Sequence, residues 1–280
     1  MALRSQAGRP ISRPVPTIKS RGFNAIEACL LVLLGGALGV IGVAAALPHL
    51  GNENMLVPEL DPLRERYGPG KNSQHGEEWI IRDFFQNRRG GFFLDVGANH
   101  YQAHSNTYFL EVELGWEGIA VEPLVEFGAD YTRFRPRTRF RPFFVSDVSE
   151  QEALLYSLPS APRVSSGVER FTTGAAEEFK LDEAPERRTV PTITLDDLLS
   201  AEGVERIDFL SMDIELWEPK ALAGFSVQRF RPALVCIEAH PEVRQQILDY
   251  FAQHGYVVVG RYLRADIWNL YFTPREGDRR

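Results

Sequence analysis

Residues 90–101 read GGFFLDVGANHY, and this stretch decides the fold. Phe92, Phe93 and Leu94 form a short apolar run that ends in Asp95 and Val96, followed by Gly97 and a polar cluster. Such a run is what a strand covered on both faces requires. The glycine and polar residues after it make a tight loop. In open α/β sheets, ligands bind beyond the carboxyl ends of the strands, so this loop marks a binding site as well as a strand end.

Working outward, strands and helices alternate. GEEWIIRDFFQN (76–87) has apolar residues at helical spacing, NTYFLEVELG (106–115) is helical and closes on Gly115, and EGIAVEP (117–123) is a second strand. A helix or turn over 124–134 precedes a third strand within RFRPFFVSD (139–147). TLDDLLSAEG (194–203) is a helix with Thr194 as N-cap. Strands follow at RIDFLSMDIE (206–215) and PALVCIEAH (232–240), then a helix from Pro241, and a final antiparallel pair over 256–263 and 266–273. The alternation predicts an α/β fold: a doubly wound, mostly parallel, seven-stranded Rossmann-like sheet with an antiparallel C-terminal strand pair.

The region before this domain differs in kind. Residues 1–27 form a basic tail: Arg4, Arg9, Arg13, Lys19 and Arg21 occur before any acid, while the whole chain has a net charge of −7. The body is therefore acidic, which argues against nucleic acid as a partner. Residues 28–47, ACLLVLLGGALGVIGVAAAL, carry no charge. As a helix they span about 30 Å, the thickness of a bilayer core. We expect one transmembrane helix, with a cleaved targeting segment as the rival reading. The five preceding bases place the tail in the cytoplasm and the large domain on the lumenal or extracytoplasmic side. Gly35 and Gly39 give the helix a GxxxG spacing that can support a homodimer. Residues 48–70, rich in Pro and Gly, read as a linker, and 71–280 as the catalytic domain, with an insertion over 150–190 near the site. Cys29 and Cys236 are not expected to form a disulfide.

The loop after the first strand discriminates between cofactors. A dinucleotide fold places G-x-G-x-x-G there so that backbone amides can approach a pyrophosphate. Here the loop is GANHYQ, and its second and third glycines are missing. That disfavours a nicotinamide enzyme. S-adenosylmethionine has no phosphate, and its sulfonium is positive, so nearby acids favour it. Glu122, at the end of the second strand, offers two oxygens to a ribose. Ser146 and Asp147, at the end of the third, are placed to reach an adenine.

With these residues in view, the chain resembles the FkbM-type methyltransferases, class I enzymes that use S-adenosylmethionine. The matching stretches run in order over roughly 72–273: SQHGEEW (73–79), FLDVGANHY (93–101), SNTYFLE (105–111), GWEGIAVEP (115–123), FVSD (144–147), TITLDDLL (192–199), IDFLSMDIELWE (207–218) and CIEAH (236–240). The resemblance implies that Asp95, Gly97 and Asn99 form the methionine-side loop. Glu122 takes the ribose, Asp147 the adenine, and Ser73 and Gln74 close over the cofactor. The family follows its fourth strand with an acid, then Glu-Gly; MDIELWE carries Leu216 in place of that glycine. His100 and His104 read as hydrogen-bonding loop residues.

Methyl transfer is an in-line displacement that needs a positioned acceptor, and a neutral alcohol must also lose its proton. Asp213 and Glu215 stand two apart on the fourth strand, as do Glu238 and His240 on the fifth, so each pair shares a face. His240 is the expected base, since imidazole titrates near neutral pH, with Asp213 to orient it or to bind the acceptor and Glu215 in the same catalytic cluster. No metal is favoured, although Asp213, Glu215, Glu238 and His240 also suit a divalent ion. Lys220 and the basic stretch RFRPRTRFR (133–141) can attract an anionic acceptor. Together these point to a membrane-anchored O-methyltransferase acting on a hydroxyl of a glycan, glycolipid or similar small molecule. The alternative is a non-catalytic, methyltransferase-like interaction or trafficking protein.

Overall fold

The computed structural model describes residues 58–70 and 72–276. The basic tail and the apolar segment 28–47 lie outside them. Among the described residues, no helix is long and apolar enough to cross a membrane.

A seven-stranded sheet forms the centre. Its strands are β1 (Phe92–Val96), β2 (Glu117–Val121), β3 (Thr138–Arg141), β7 (Phe209–Met212), β8 (Leu234–Glu238), β9 (Tyr256–Val258) and β10 (Asn269–Pro274). The spatial order is β3-β2-β1-β7-β8-β10-β9. The first five run parallel, and β10 runs antiparallel to both β8 and β9. The order reverses between β1 and β7, and at such a switch point the loops leaving the two strands diverge and open a crevice.

Side chains alternate across each strand, so both faces are apolar. Leu94, Val96, Leu210, Met212, Val235 and Ile237 meet one helical layer. That layer holds α6 (Leu195–Ala201), α7 (Glu218–Ala223), α8 (Val227–Phe230) and α9 (Arg244–Gln253). Phe93, Phe209, Leu234, Cys236 and Tyr271 meet the other layer. It contains α1 (Asp61–Tyr67), α2 (Glu77–Phe85) and α3 (Tyr108–Val112). Thr194 caps α6, accepting from the Asp197 amide. The mostly parallel, doubly wound sheet and its antiparallel end are as the sequence pattern requires.

Three readings need correction. Residues 58–67, within the expected linker, are folded: a short 3-10 turn leads into α1, and Leu60, Leu63 and Tyr67 pack on the second core layer. Pro62 sits in the first turn of that helix and Gly68 closes it at φ 77°, so residues that read as linker punctuation are its start and stop. The expected third strand is two. Pro142 divides β3 from β4 (Phe144–Val145), and β4 leaves the main sheet to pair with β6 (Glu186–Ile193). Finally, residues 150–190, expected as an insertion near the site, are regular structure. They hold β5 (Glu152–Ser157), α5 (Glu169–Glu178) and part of β6, and β4, β6 and β5 form a second, three-stranded sheet. Between β2 and β3, α4 (Gly128–Phe134) packs beside β3.

Candidate active site

The crevice between the two halves of the sheet is lined by Gly97 and Asn99 after β1, Glu122 and Pro123 after β2, and Asp213, Ile214, Glu215 and Trp217 after β7. Phe144 and Val145 form one wall, and Pro162, Arg163, Ser165 and Ser166 roof it. The small sheet is thus part of the site: Ser166 Oγ donates to the Glu215 carbonyl at 2.6 Å. Sequence reasoning placed that segment near the site without naming these residues.

The loop after β1 depends on its glycine. Gly97 has φ 80°, and a Cβ there would stand 1.8 Å from the Asp213 carbonyl oxygen. The backbones after β1 and β7 therefore touch, as no other residue would allow. Asn99 also takes a left-handed φ of 45°. Its amide donates to Glu122 Oε2 at 3.1 Å, and the Leu124 amide donates to Glu122 Oε1 at 3.0 Å. Burial pushes the Glu122 carboxyl up to about 7, against the pull of those two amides.

Asp95 does not face the crevice. It is buried beneath the loop, accepting from Thr107 Oγ1 at 2.6 Å, and burial raises its carboxyl. Its place is to hold the loop from behind. Ser73 accepts from the Glu78 amide at the start of α2, and Gln74 is exposed; neither lines the crevice. Ser146 donates to Asp147, and Asp147 accepts from Lys220 at 2.9 Å, which lowers its carboxyl. Lys220 is therefore engaged. So is the basic stretch: Arg135 is wholly buried and paired with Glu111, while Arg139 and Arg141 both pair with Glu202. An open hollow beside β3 is lined by these arginines, away from the acids of the crevice. His100 accepts from the Gln102 and Ala103 amides, and His104 is exposed.

On the other side, β7 ends at Met212, so Asp213 and Glu215 lie in a turn and not on one strand face. Glu215 and Leu216 take left-handed φ values of 55° and 74°. That turn, and not strand alternation, aims Glu215 at His240, whose Nε2 lies 3.3 Å from Glu215 Oε2 and 3.2 Å from Glu238 Oε2. Burial opposes the imidazolium, but Glu215 and Glu238 outweigh it and hold the imidazole up at about 11. His240 therefore keeps its proton at neutral pH and is not the free base that its residue type implied. Burial lifts Glu215 and Glu238 to about 7. Asp213 presents an exposed face to the crevice; the protein packed round its other sides and the charge of Glu238 raise its carboxyl. Glu218 escaped sequence reasoning: wholly buried behind the turn, it is lifted by burial and by Glu238 to about 8.

The lining thus carries three carboxylates, Glu122, Asp213 and Glu215, against one base, Arg163. When ionised, these acids suit a cationic ligand and repel a pyrophosphate. Each Glu122 oxygen retains a lone pair beyond its amide bond, as two ribose hydroxyls would need. The domain described as methyltransferase FkbM matches residues 95–258, more than half of the chain.

The chain belongs to the FkbM methyltransferase family.

This FkbM protein is accordingly a methyltransferase, and the S-adenosylmethionine expected from the sequence is the cofactor its site fits. No curated protein sequence matches it. Among solved structures it is similar to an S-adenosylmethionine-dependent methyltransferase from Geobacter sulfurreducens in complex with S-adenosylhomocysteine. That match has 9% identity over 78% of this chain and 98% of the other, with a TM-score of 0.36. It is also similar to the Burkholderia thailandensis 1,6-didemethyltoxoflavin-N1-methyltransferase with bound 1,6-didemethyltoxoflavin and S-adenosylhomocysteine, at 11% identity over 91% of each chain and a TM-score of 0.33.

Proposed function

We propose that this FkbM protein is a membrane-anchored O-methyltransferase that methylates a hydroxyl of a glycan, glycolipid or similar small molecule. The observation that carries the reading is Asp213, open to the crevice a backbone contact away from Gly97. A carboxylate there stands between the cofactor loop and the acid cluster, where an acceptor must enter. S-adenosylmethionine, when bound, would supply a methyl carbon on a positive sulfur, with a neutral thioether as the leaving group.

The chain's own residues do the rest. Gly97, Asn99 and Glu122 hold the cofactor, Glu122 through its remaining lone pairs. Asp213 in its ionised form, which burial and Glu238 disfavour, accepts the proton that the hydroxyl sheds as its oxygen takes the methyl group. His240, held as an imidazolium by Glu215 and Glu238, fixes those two carboxylates and balances part of their charge. Trp217, against Phe144 on the crevice wall, offers an aromatic face of the kind that sugar rings stack on. The small sheet excludes water from above.

The anchor belongs to the same proposal. Residues 28–47 hold the enzyme at a bilayer, with the tail cytoplasmic and the domain on the far side. A reporter fused after Arg280 is then reached only from the lumenal or extracytoplasmic side; access from the cytoplasm reverses the topology. For the activity itself, calorimetry of the full-length protein with S-adenosylmethionine should show one site that Glu122→Ala weakens. A folded protein that binds none would end the methyl-transfer reading.

A further inference from the structure

At the ends of β7 and β8, three side chains from separate stretches bring one atom each to a common point. His240 Nε2, Glu215 Oε2 and Glu238 Oε2 are mutually within 4.8 Å, with the nitrogen 3.2–3.3 Å from each oxygen. A protonated imidazole accounts for only half of this. One N–H points at one acceptor, and Glu215 takes it in hydrogen-bond geometry. Glu238 Oε2 is left buried with no donor.

Behind it lies a second orphan. Glu218 is wholly buried; its Oε1 accepts from the Ile214 amide at 3.1 Å, and its Oε2 has no donor. Its nearest charges are Glu238 and Asp213. Among the described residues, no lysine or arginine forms an ion pair with Glu215, Glu218 or Glu238. Glu111, a buried acid elsewhere in the molecule, is paired with Arg135 and accepts from the Arg137 amide and Thr138. A buried carboxylate oxygen left without a donor beside an imidazole, as in Glu238, either keeps a proton or takes a positive partner.

The two nitrogen–oxygen spacings fit one. Ligand atoms about 2.1–2.3 Å from a single ion, at right angles to each other, sit about 3.0–3.3 Å apart. We propose that Glu215, Glu238 and His240 bind one divalent cation, which takes the place of the proton on His240 Nε2 and releases it to solvent, with Asp213 facing the crevice. One imidazole among carboxylates suits a first-row ion such as Mn²⁺ better than Ca²⁺. The site stands on its own geometry; its role rests on the methyl-transfer reading. The ion holds the acceptor oxygen and lowers its pKa, and the hydroxyl proton passes to Asp213.

The test is a titration of EDTA-stripped, full-length protein with Mn²⁺, followed by calorimetry and by electron paramagnetic resonance. We expect one Mn²⁺ per chain, with the nitrogen coupling of one imidazole in the pulsed spectrum. Glu215→Gln and His240→Ala should each weaken Mn²⁺ binding at least tenfold and leave S-adenosylmethionine binding intact. If either variant fails to fold, the wild-type nitrogen coupling decides, because an adventitious carboxylate site shows none. Absent saturable binding, absent nitrogen coupling, or full-strength binding in both folded variants overturns the site. Cofactor binding without Mn²⁺ binding ends this inference alone; Mn²⁺ binding without cofactor binding ends the functional reading alone.

Discussion

Both halves of the crevice are built from acids at strand ends, and they differ in what surrounds those acids. After β1 and β2, Glu122 is held by two backbone amides, so its geometry is set by the chain itself. After β7 and β8, the company of each acid is mostly other acids. Glu215 and Glu238 share one imidazole, and Glu218 keeps a buried oxygen without a donor. The first half is complete before any ligand arrives. The second is under-satisfied, as a surface that awaits acceptor or cation must be. Buried polar groups are satisfied almost everywhere in folded proteins, so the exceptions at Glu218 and Glu238 call for an explanation, and a ligand in the crevice is one.

The largest effect should come from joining the halves too tightly. In Gly97→Ala the new methyl would stand 1.8 Å from the Asp213 carbonyl at a left-handed φ. The two loops must part, and both sites lose their shape. We expect S-adenosylmethionine affinity to fall at least a hundredfold in calorimetry, with a lower melting temperature. Unchanged affinity would mean that the halves are not in contact.

Next come substitutions that touch only the second half. Asp213→Asn should lower kcat by about a hundredfold or more, the usual contribution of a positioned base, and change cofactor affinity little. His240→Ala should also cut turnover with cofactor affinity nearly intact, because it frees two carboxylates that His240 now fixes. If His240→Ala removes cofactor binding as well, the halves are not separable and His240 is structural.

A smaller effect separates binding from stability in the first half. Glu122 titrates near 7 in the fold against 4.5 for an ordinary glutamate. Its folded value is raised, so its contribution to stability is present below about 4.5 and is lost as pH rises through about 7. Cofactor binding runs the other way, since a ribose hydroxyl needs the ionised acceptor. Between pH 8 and pH 6, affinity should fall several-fold while Glu122's own contribution to stability rises. Glu122→Gln should flatten both profiles, and a pH-independent affinity in the wild type would show that Glu122 does not meet the ligand.

How much of this was legible follows the same division. The first half is local: an apolar run, Gly97 and Glu122 each sit where a strand ends, and strand periodicity finds them. Asp95 was found too, but which way it faces depends on Thr107, and the sequence does not show that contact. The second half depends on a left-handed turn at Glu215 and Leu216, which alternation cannot foresee. The pairing of Glu215 with His240 was reached from the wrong geometry. Glu218 carried no sequence signal, and Arg135 read as part of a basic stretch open to an anionic acceptor; both are buried, which only the packed fold shows. The protonation of His240 followed residue type at first and is set by two neighbours 3.2–3.3 Å away.

The smallest effect concerns that turn. The family carries glycine where this chain has Leu216, and Leu216 has φ 74°. A left-handed leucine costs about 1–2 kcal/mol. Leu216→Gly removes that cost, but it also gives the unfolded chain more freedom, roughly 0.5–1 kcal/mol. It further deletes a half-buried side chain packed on the main core. These contributions oppose one another, so we expect stability to change by less than about 1 kcal/mol, and turnover by less than threefold. Denaturant melts and steady-state rates would measure both. A loss above about 2 kcal/mol would mean that the leucine's packing, and not its backbone angle, sets the turn that brings Glu215 to His240. The second half of the crevice would then be built from its side chains, where the first is built from its backbone.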